Sequence, residues 1–248
     1  MKYRDATIHY NESAAYQAKF TGFFIGTLLF IATTCIAMAT NPTKNCHCFK
    51  DRTYNQAKKF SSDSYILTTT TNSFISAWFD FEKKNIVMMK MKGGVKSDDL
   101  LIGLYLASLS RDHINTLMNL RKQGATWKTI LSRTETKAKV KNDQILSSML
   151  EGLGPRDGAT QIIDLLLVRF FSVGQEQLAS LHRRNLSAKE ITLLLTLSAK
   201  SGIDVGTLAD FARKQGLSYS EIAFNLGFQP SDMKKVITEL KADATKGQ

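Results

Sequence analysis

Two cysteines one residue apart, in Asn45-Cys46-His47-Cys48-Phe49, are by type and spacing the residues best placed to do chemistry. Thiols separated by one residue close a small, strained ring when oxidised, and strained bridges are the labile, redox-active kind. Three readings stand side by side: a Cys46–Cys48 disulfide or redox pair, part of a metal site with His47, or two cysteines that do little. A metal site needs about four ligands. C-terminal to this stretch the only histidines are His113 and His182, with nothing near them at ligand spacing, so neither a metal nor a cofactor is expected. The motif is not the CxxCH of a haem attachment site.

Other candidates weaken on inspection. The stretch GATWKT (124–129) ends like a phosphate loop, but its first glycine is missing and none precedes Lys128. Nucleophile elbows, HExxH and glycine-rich dinucleotide fingerprints are absent. Asp98 and Asp99 open an expected helix, where the helix dipole favours them without any catalytic role. Trp127 and Tyr219 recur at one position of two similar stretches and are expected to pack against a neighbouring unit. His113 and His182 read as surface or boundary residues, and Met88, Met89 and Met91 as helical core filler. No catalytic residue is expected.

The elements that must position these residues begin with the N-terminus. Residues 20–43, FTGFFIGTLLFIATTCIAMATNPT, carry no charge, follow Lys19 directly and include the small-x-small exit Ala37-Met38-Ala39. Basic flank, apolar centre and such an exit make an export signal cleaved between Ala39 and Thr40. Left uncut, an apolar run of about 20 residues is long enough to anchor the chain in a bilayer. Residues 1–39 are thus a signal peptide or membrane anchor, and the remainder is expected to be periplasmic or anchored facing the periplasm. The whole chain has 33 basic and 22 acidic residues, a net charge of +11. That balance suits nucleic acid, an anionic membrane surface or acidic envelope polymers, besides plain solubility.

Past residue 62 the chain repeats itself. RKQGATWKTI (121–130), HRRNLSAKEI (182–191) and RKQGLSYSEI (213–222) share a basic pair, a glycine or asparagine, a Ser or Thr, and then a helix. The punctuating residues Gly94, Gly124, Gly154, Asn185 and Gly216 are spaced by 30, 30, 31 and 31 positions. A fixed period in this range marks stacked helical units. The glycine or asparagine ends one helix in a left-handed conformation. The Ser or Thr caps the next, and SAKE (187–190) and SYSE (218–221) spell capping boxes. The helix that follows is apolar nearly all round in LLIGLYLASL (100–109), IIDLLLVRFF (162–171) and ITLLLTLSA (191–199), and so is buried. Its partner is amphipathic, as in Val205, Leu208, Ala209 and Ala212, which leaves Arg213 and Lys214 to water. The fold class expected is all-α: tandem helical hairpins of about 30 residues, either α-solenoid-like or a compact helical array. A loop segment spans 40–62, the repeat domain 63–243, and a disordered tail 244–248.

The stretch GLSYSEIAFNLGFQPSDMKKVI (216–237) resembles the helix-turn-helix of bacterial regulators: Ile222-Ala223, Leu226-Gly227-Phe228, Met233 and Val236 fall at its apolar, small and turn positions. That resemblance implies a recognition helix starting at Ser231, with Lys234 and Lys235 on phosphate or bases. Asp232 would put a carboxylate close to the phosphates, which opposes binding. The 30-residue repeat accounts for the same pattern without DNA. With CHCFKDRTYN (46–55) and the KQG-x-S-[WY]-x-EIA-x-x-LG turn best seen at 214–227, the chain also resembles a group of uncharacterised exported proteins of Gram-negative bacteria. The resemblance implies export and a helical repeat, and brings no activity.

The function expected is that of an exported or membrane-anchored helical interaction or scaffold protein, non-enzymatic, whose partner is an envelope protein or acidic surface. The alternatives are a membrane-tethered helix-turn-helix regulator using Ser231, Lys234 and Lys235, and a periplasmic thiol-redox protein using Cys46 and Cys48.

Overall fold

A computed structural model describes residues 49–110, 112–133 and 140–246, with side chains up to residue 244. All belong to one compact unit, Asn41–Gln248. The segments carrying Cys46, Cys48, Ala39 and Thr40 lie outside the described residues. Twelve α-helices and no strand occur among the described residues.

Four of the helices are long and apolar: α1 (Asp63–Phe79), α3 (Ser97–Leu109), α7 (Pro155–Phe171) and α9 (Ala188–Ser201). The apolar runs around 100–109, 162–171 and 191–199 lie within the last three, as their lack of a polar face requires. Leu100, Ile102, Leu106, Ile162, Leu166, Leu193 and Leu197 have no more than 1% exposure. These helices pack in a cycle: α1 on α3, α3 on α7, α7 on α9, and α9 back on α1.

Shorter helices fill the intervals: α2 (Lys83–Met91), α4 (Ile114–Lys122), α5 (Trp127–Leu131), α6 (Gln144–Glu151), α8 (Gln175–Arg183), α10 (Val205–Arg213) and α11 (Tyr219–Asn225). The final helix, α12 (Met233–Lys246), returns to lie along α1 and makes the most extensive helix pairing in the unit. The array is therefore closed, first helix against last, and not an open curved solenoid. The helix runs on through Lys246, past the expected start of a disordered tail.

The expected punctuation holds at four positions and moves at one. Gly94 (φ 64°), Gly124 (φ 91°), Asn185 (φ 57°) and Gly216 (φ 69°) are left-handed. Gly154 is not: its φ is −65°, and it is the cap residue before α7. The left-handed residue of that unit is Gly152, φ 127°, which ends α6.

The threonine run of α1, a poor helix former by propensity, is helical nonetheless, and three hydroxyls of the polar stretch find acceptors within the helix. Thr70 Oγ1, Thr71 Oγ1 and Ser73 Oγ donate to the carbonyls four residues earlier at 2.7, 2.9 and 2.6 Å. Against this polar stretch stands α9, whose buried Thr192 and Thr196 do the same at 2.7 Å each. Tertiary burial of Ile66, Phe74 and Ile75 overrides the propensity.

Candidate interaction surface

The helix-turn-helix-like segment consists of α11, a turn through Gly227 (φ 84°), a 3-10 turn at Pro230–Asp232, and α12. Ser218 caps α11 as its type predicts, accepting the Glu221 amide at 3.0 Å. Glu221 also reaches Lys59 at 2.8 Å, and that carboxylate raises the Lys59 ammonium above its ordinary value. The box at Ser187 is complete: Ser187 N–H donates to Glu190 Oε2 at 2.6 Å and Glu190 N–H to Ser187 Oγ at 3.4 Å.

An arm formed by residues 49–62 lies over this unit. Tyr54 packs against Phe224 with ring centroids 4.9 Å apart and the rings tilted by 33°, and its amide donates to Gln229 Oε1 at 3.1 Å. At the arm's end Asp63 takes the start of α11: its carboxylate accepts the Tyr219 amide at 3.1 Å, the Ser220 amide at 2.9 Å and the Ser220 hydroxyl at 2.7 Å. Amides at a helix start are the donors a bound phosphate would use. Here a carboxylate of the chain itself takes two of them.

Ser231 lies in the 3-10 turn, so the α-helix begins at Met233 and not at Ser231. Asp232 does not face outward; its Oδ2 accepts the Gln229 amide at 2.8 Å. Met233, Val236 and Ile237 are buried, while Ser231, Lys234 and Lys235 are exposed. The nearest acid to Lys235 is Glu239, at 3.9 Å.

One arrangement occurs twice. Asp99, third residue of α3, accepts Trp127 Nε1–H at 2.6 Å and Arg121 Nε–H at 3.0 Å, with the guanidinium 5.4 Å from the Trp127 ring centroid. Glu190, third residue of α9, accepts the Tyr219 hydroxyl at 2.5 Å and Arg213 Nη2–H at 3.2 Å. In each case a carboxylate on one unit's buried helix ties together an arginine and an aromatic residue of the next. Burial pushes the Glu190 carboxyl up, but hydrogen bonds from Tyr219 and Ser187 and the Arg213 charge outweigh it and hold it low. Burial, with Glu190 beside it, raises the Tyr219 phenol well above its usual value. Arg213 is exposed, as expected, and is also engaged by Glu190, and Asp99 has specific partners beyond the helix dipole.

The middle unit departs from this pattern. Ala188 replaces the aromatic residue, and His182, in the arginine's place, turns to Asp164 of α7, with Nε2 3.0 Å from both carboxylate oxygens. His182 is thus more than a boundary residue. The pair borders an open cleft of about 300 Å³ between α7 and α8, also lined by Gln161, Leu165, Val168 and Gln175. Burial raises the Asp164 carboxyl, opposed by His182. His113 is exposed at the cap position before α4. Of the methionines expected as core filler, Met91 is half exposed.

The repeated arrangement was detectable as an arginine six residues before an aromatic (Arg121–Trp127, Arg213–Tyr219), with an acid at the third position of the preceding apolar helix. The seat of Asp63 on α11 has no such local signal. No group of three or more His, Cys, Asp or Glu able to hold a metal occurs among the described residues. None of their helices is long and apolar enough to cross a membrane.

Fold and surface together define an all-helical protein of coupled hairpin units with a covered helix-turn-helix-like corner. Comparison with protein-family models, curated proteins and solved structures finds no match to this chain.

Proposed function

We propose that the chain is an exported or membrane-anchored helical interaction protein, non-enzymatic, that presents a basic outer surface to an envelope protein or acidic partner. The observation that carries this reading is the seat of Asp63 on the first amides of α11. It places negative charge where a DNA-reading unit of this kind would meet phosphate, and makes that unit a structural corner of a closed body. The uncharged run at 20–43 and the likeness to exported proteins support the compartment.

A second reading, the membrane-tethered DNA-binding regulator, is favoured by the exposure of Ser231, Lys234 and Lys235 on one end of α12. The thiol-redox reading rests on Cys46 and Cys48 alone.

Topology separates the readings. Reporters active only in the periplasm or only in the cytoplasm are fused after Gln248, and the N-terminus is read by mass. A periplasmic C-terminus is expected, with the chain either starting at Thr40 or retaining residues 1–39. A cytoplasmic C-terminus, together with salt-sensitive duplex binding lost in Lys234→Glu/Lys235→Glu, overturns the proposal in favour of DNA.

A further inference from the structure

Four large apolar side chains stand exposed among the described residues, Phe60, Met91, Leu109 and Phe224, and two of them belong to one corner. Phe60 is 63% exposed near the end of the arm, and Phe224 is 47% exposed on α11. The arm is fixed to that helix at two points. Tyr54 lies against Phe224 itself, and Lys59, next to Phe60, pairs with Glu221, three residues before Phe224 on the same helix face. Phe49 and Tyr65 extend the aromatic set, their rings edge to face at 5.7 Å, with the Arg52 guanidinium 5.7 Å from the Tyr65 centroid. Large apolar side chains gathered in one place mark a contact surface, where scattered ones do not.

The charge of the corner says what it contacts. Over 49–60 the arm carries Lys50, Arg52, Lys58 and Lys59 against a single acid, Asp51. Neighbouring acids are occupied within the protein: Glu221 by Lys59, Asp63 by the first amides of α11, and Asp232 by the Gln229 amide. Lys50 and Lys58 are exposed and form no ion pair among the described residues. Exposed aromatic rings interleaved with cations suit the boundary of an anionic bilayer, where rings enter the acyl edge and ammonium groups meet lipid phosphates. The uncharged run ends at Thr43, six positions before the arm begins at Phe49. Six residues reach at most about 20 Å, so a chain anchored by that run keeps the arm beside lipid.

We propose that the corner built from the arm and α11 is a membrane-facing surface. It lays Phe60 and Phe224 into the headgroup boundary of an anionic phospholipid bilayer and sets Lys50 and Lys58 on its phosphates. This rests on the anchored form of the function proposed above and adds a second membrane contact, made by the folded body. An anchor alone leaves the body free to swing; the second contact decides which side of the closed array faces away from lipid.

The test uses the full chain reconstituted in vesicles of phosphatidylglycerol and phosphatidylcholine brominated on their acyl chains, with Phe60→Trp, Phe224→Trp or Leu109→Trp as fluorescent probes. Quenching beyond that of the native Trp78 and Trp127 is expected at positions 60 and 224, at least about 1.5-fold, and is not expected at Leu109, exposed at the end of α3. Adding Lys50→Glu/Lys58→Glu should remove about half of the quenching or more, as should 0.5 M salt. Lys122→Glu/Lys128→Glu, an equal change at exposed positions of α4 and α5, should leave it unchanged. Alkaline washing of the vesicles reads the anchor separately. A chain stripped off by that wash overturns the anchored reading and this proposal with it. A chain that resists the wash but shows no quenching, or equal quenching at position 109, overturns the proposal alone. So does a blue shift of the Phe60→Trp emission without quenching, which assigns the corner to a protein partner or a second copy.

Discussion

Asp63 and Tyr219 are 156 positions apart in the chain, yet the carboxylate of the first accepts the backbone amide of the second at 3.1 Å. With the Ser220 amide and hydroxyl it holds three donors, so α1 and α11 start from one shared anchor. Asp63→Ala leaves two half-buried amides without that acceptor and should cost about 2 kcal/mol in urea unfolding. Asp63→Asn keeps an oxygen but loses the charge and should cost about half as much. Equal stability of Asp63→Ala and wild type would mean that the anchor contributes nothing.

The phase of the repeat is testable at two glycines. Gly152 has φ 127°, where a Cβ meets open space but the backbone itself is strained. Gly152→Ala should destabilise by about 1 kcal/mol. Gly154, with φ −65°, should accept alanine with a change of less than about 0.5 kcal/mol. The reverse order would restore Gly154 as the punctuating residue.

The Glu190–Tyr219–Arg213 cluster has two pH limbs of opposite sign. The folded carboxyl of Glu190 titrates below its ordinary 4.5, so its stabilisation is present above that pH and is lost as pH falls through the lower folded value. The Tyr219 phenol titrates above its ordinary 10.0, so its contribution is full below pH 10 and is lost as pH rises toward the folded value. Chemical denaturation across pH should show Glu190→Gln flattening the acid limb. Tyr105, which donates to Asp143 at 2.5 Å and is also raised by burial, adds to the alkaline limb. Tyr219→Phe should therefore reduce that limb without abolishing it.

Lys83 and Lys90 supply a third pH signature, rising with pH as the Glu190 limb does but in an alkaline window. Burial, with a neighbouring lysine, brings each down from 10.5 to about 8. Holding them charged in the folded state is a cost that is full below about pH 8 and relieved as pH rises toward 10.5. Stability should therefore climb over that window in wild type, and climb less in Lys83→Met/Lys90→Met. An unchanged slope in the double variant would show that these ammonium groups are as well solvated as those of an unfolded chain.

Where the physics is local, the sequence was informative. Thr126, Ser187 and Ser218 each cap the helix that follows, and four of five punctuating residues are left-handed. Leu-Glu-Gly-Leu-Gly-Pro (150–155) defeated the spacing rule because it offers two glycines, and the choice depends on where α6 stops packing. Arg213 is exposed, as its place on an amphipathic helix implies, but its acceptor Glu190, 23 positions away, has no local signal. Closure of the array was equally hidden, since a repeat period describes neighbours and is silent about whether the ends meet.

That closure governs how the molecule comes into being. Between the end of α1 at Phe79 and the start of its main partner at Met233 lie about 150 residues, or about 8 to 30 s of synthesis at ordinary elongation rates. Through that interval α1 waits without the helix that makes its most extensive pairing, its still uncovered apolar side chains exposed to whatever else is sticky nearby. Thr-Thr-Thr-Thr-Asn-Ser, the stretch least suited to a helix by propensity, lies between Ile66 and Phe74 and breaks what would otherwise be a continuous adhesive strip. The hydroxyls that line the finished core are also what keep the waiting segment wet.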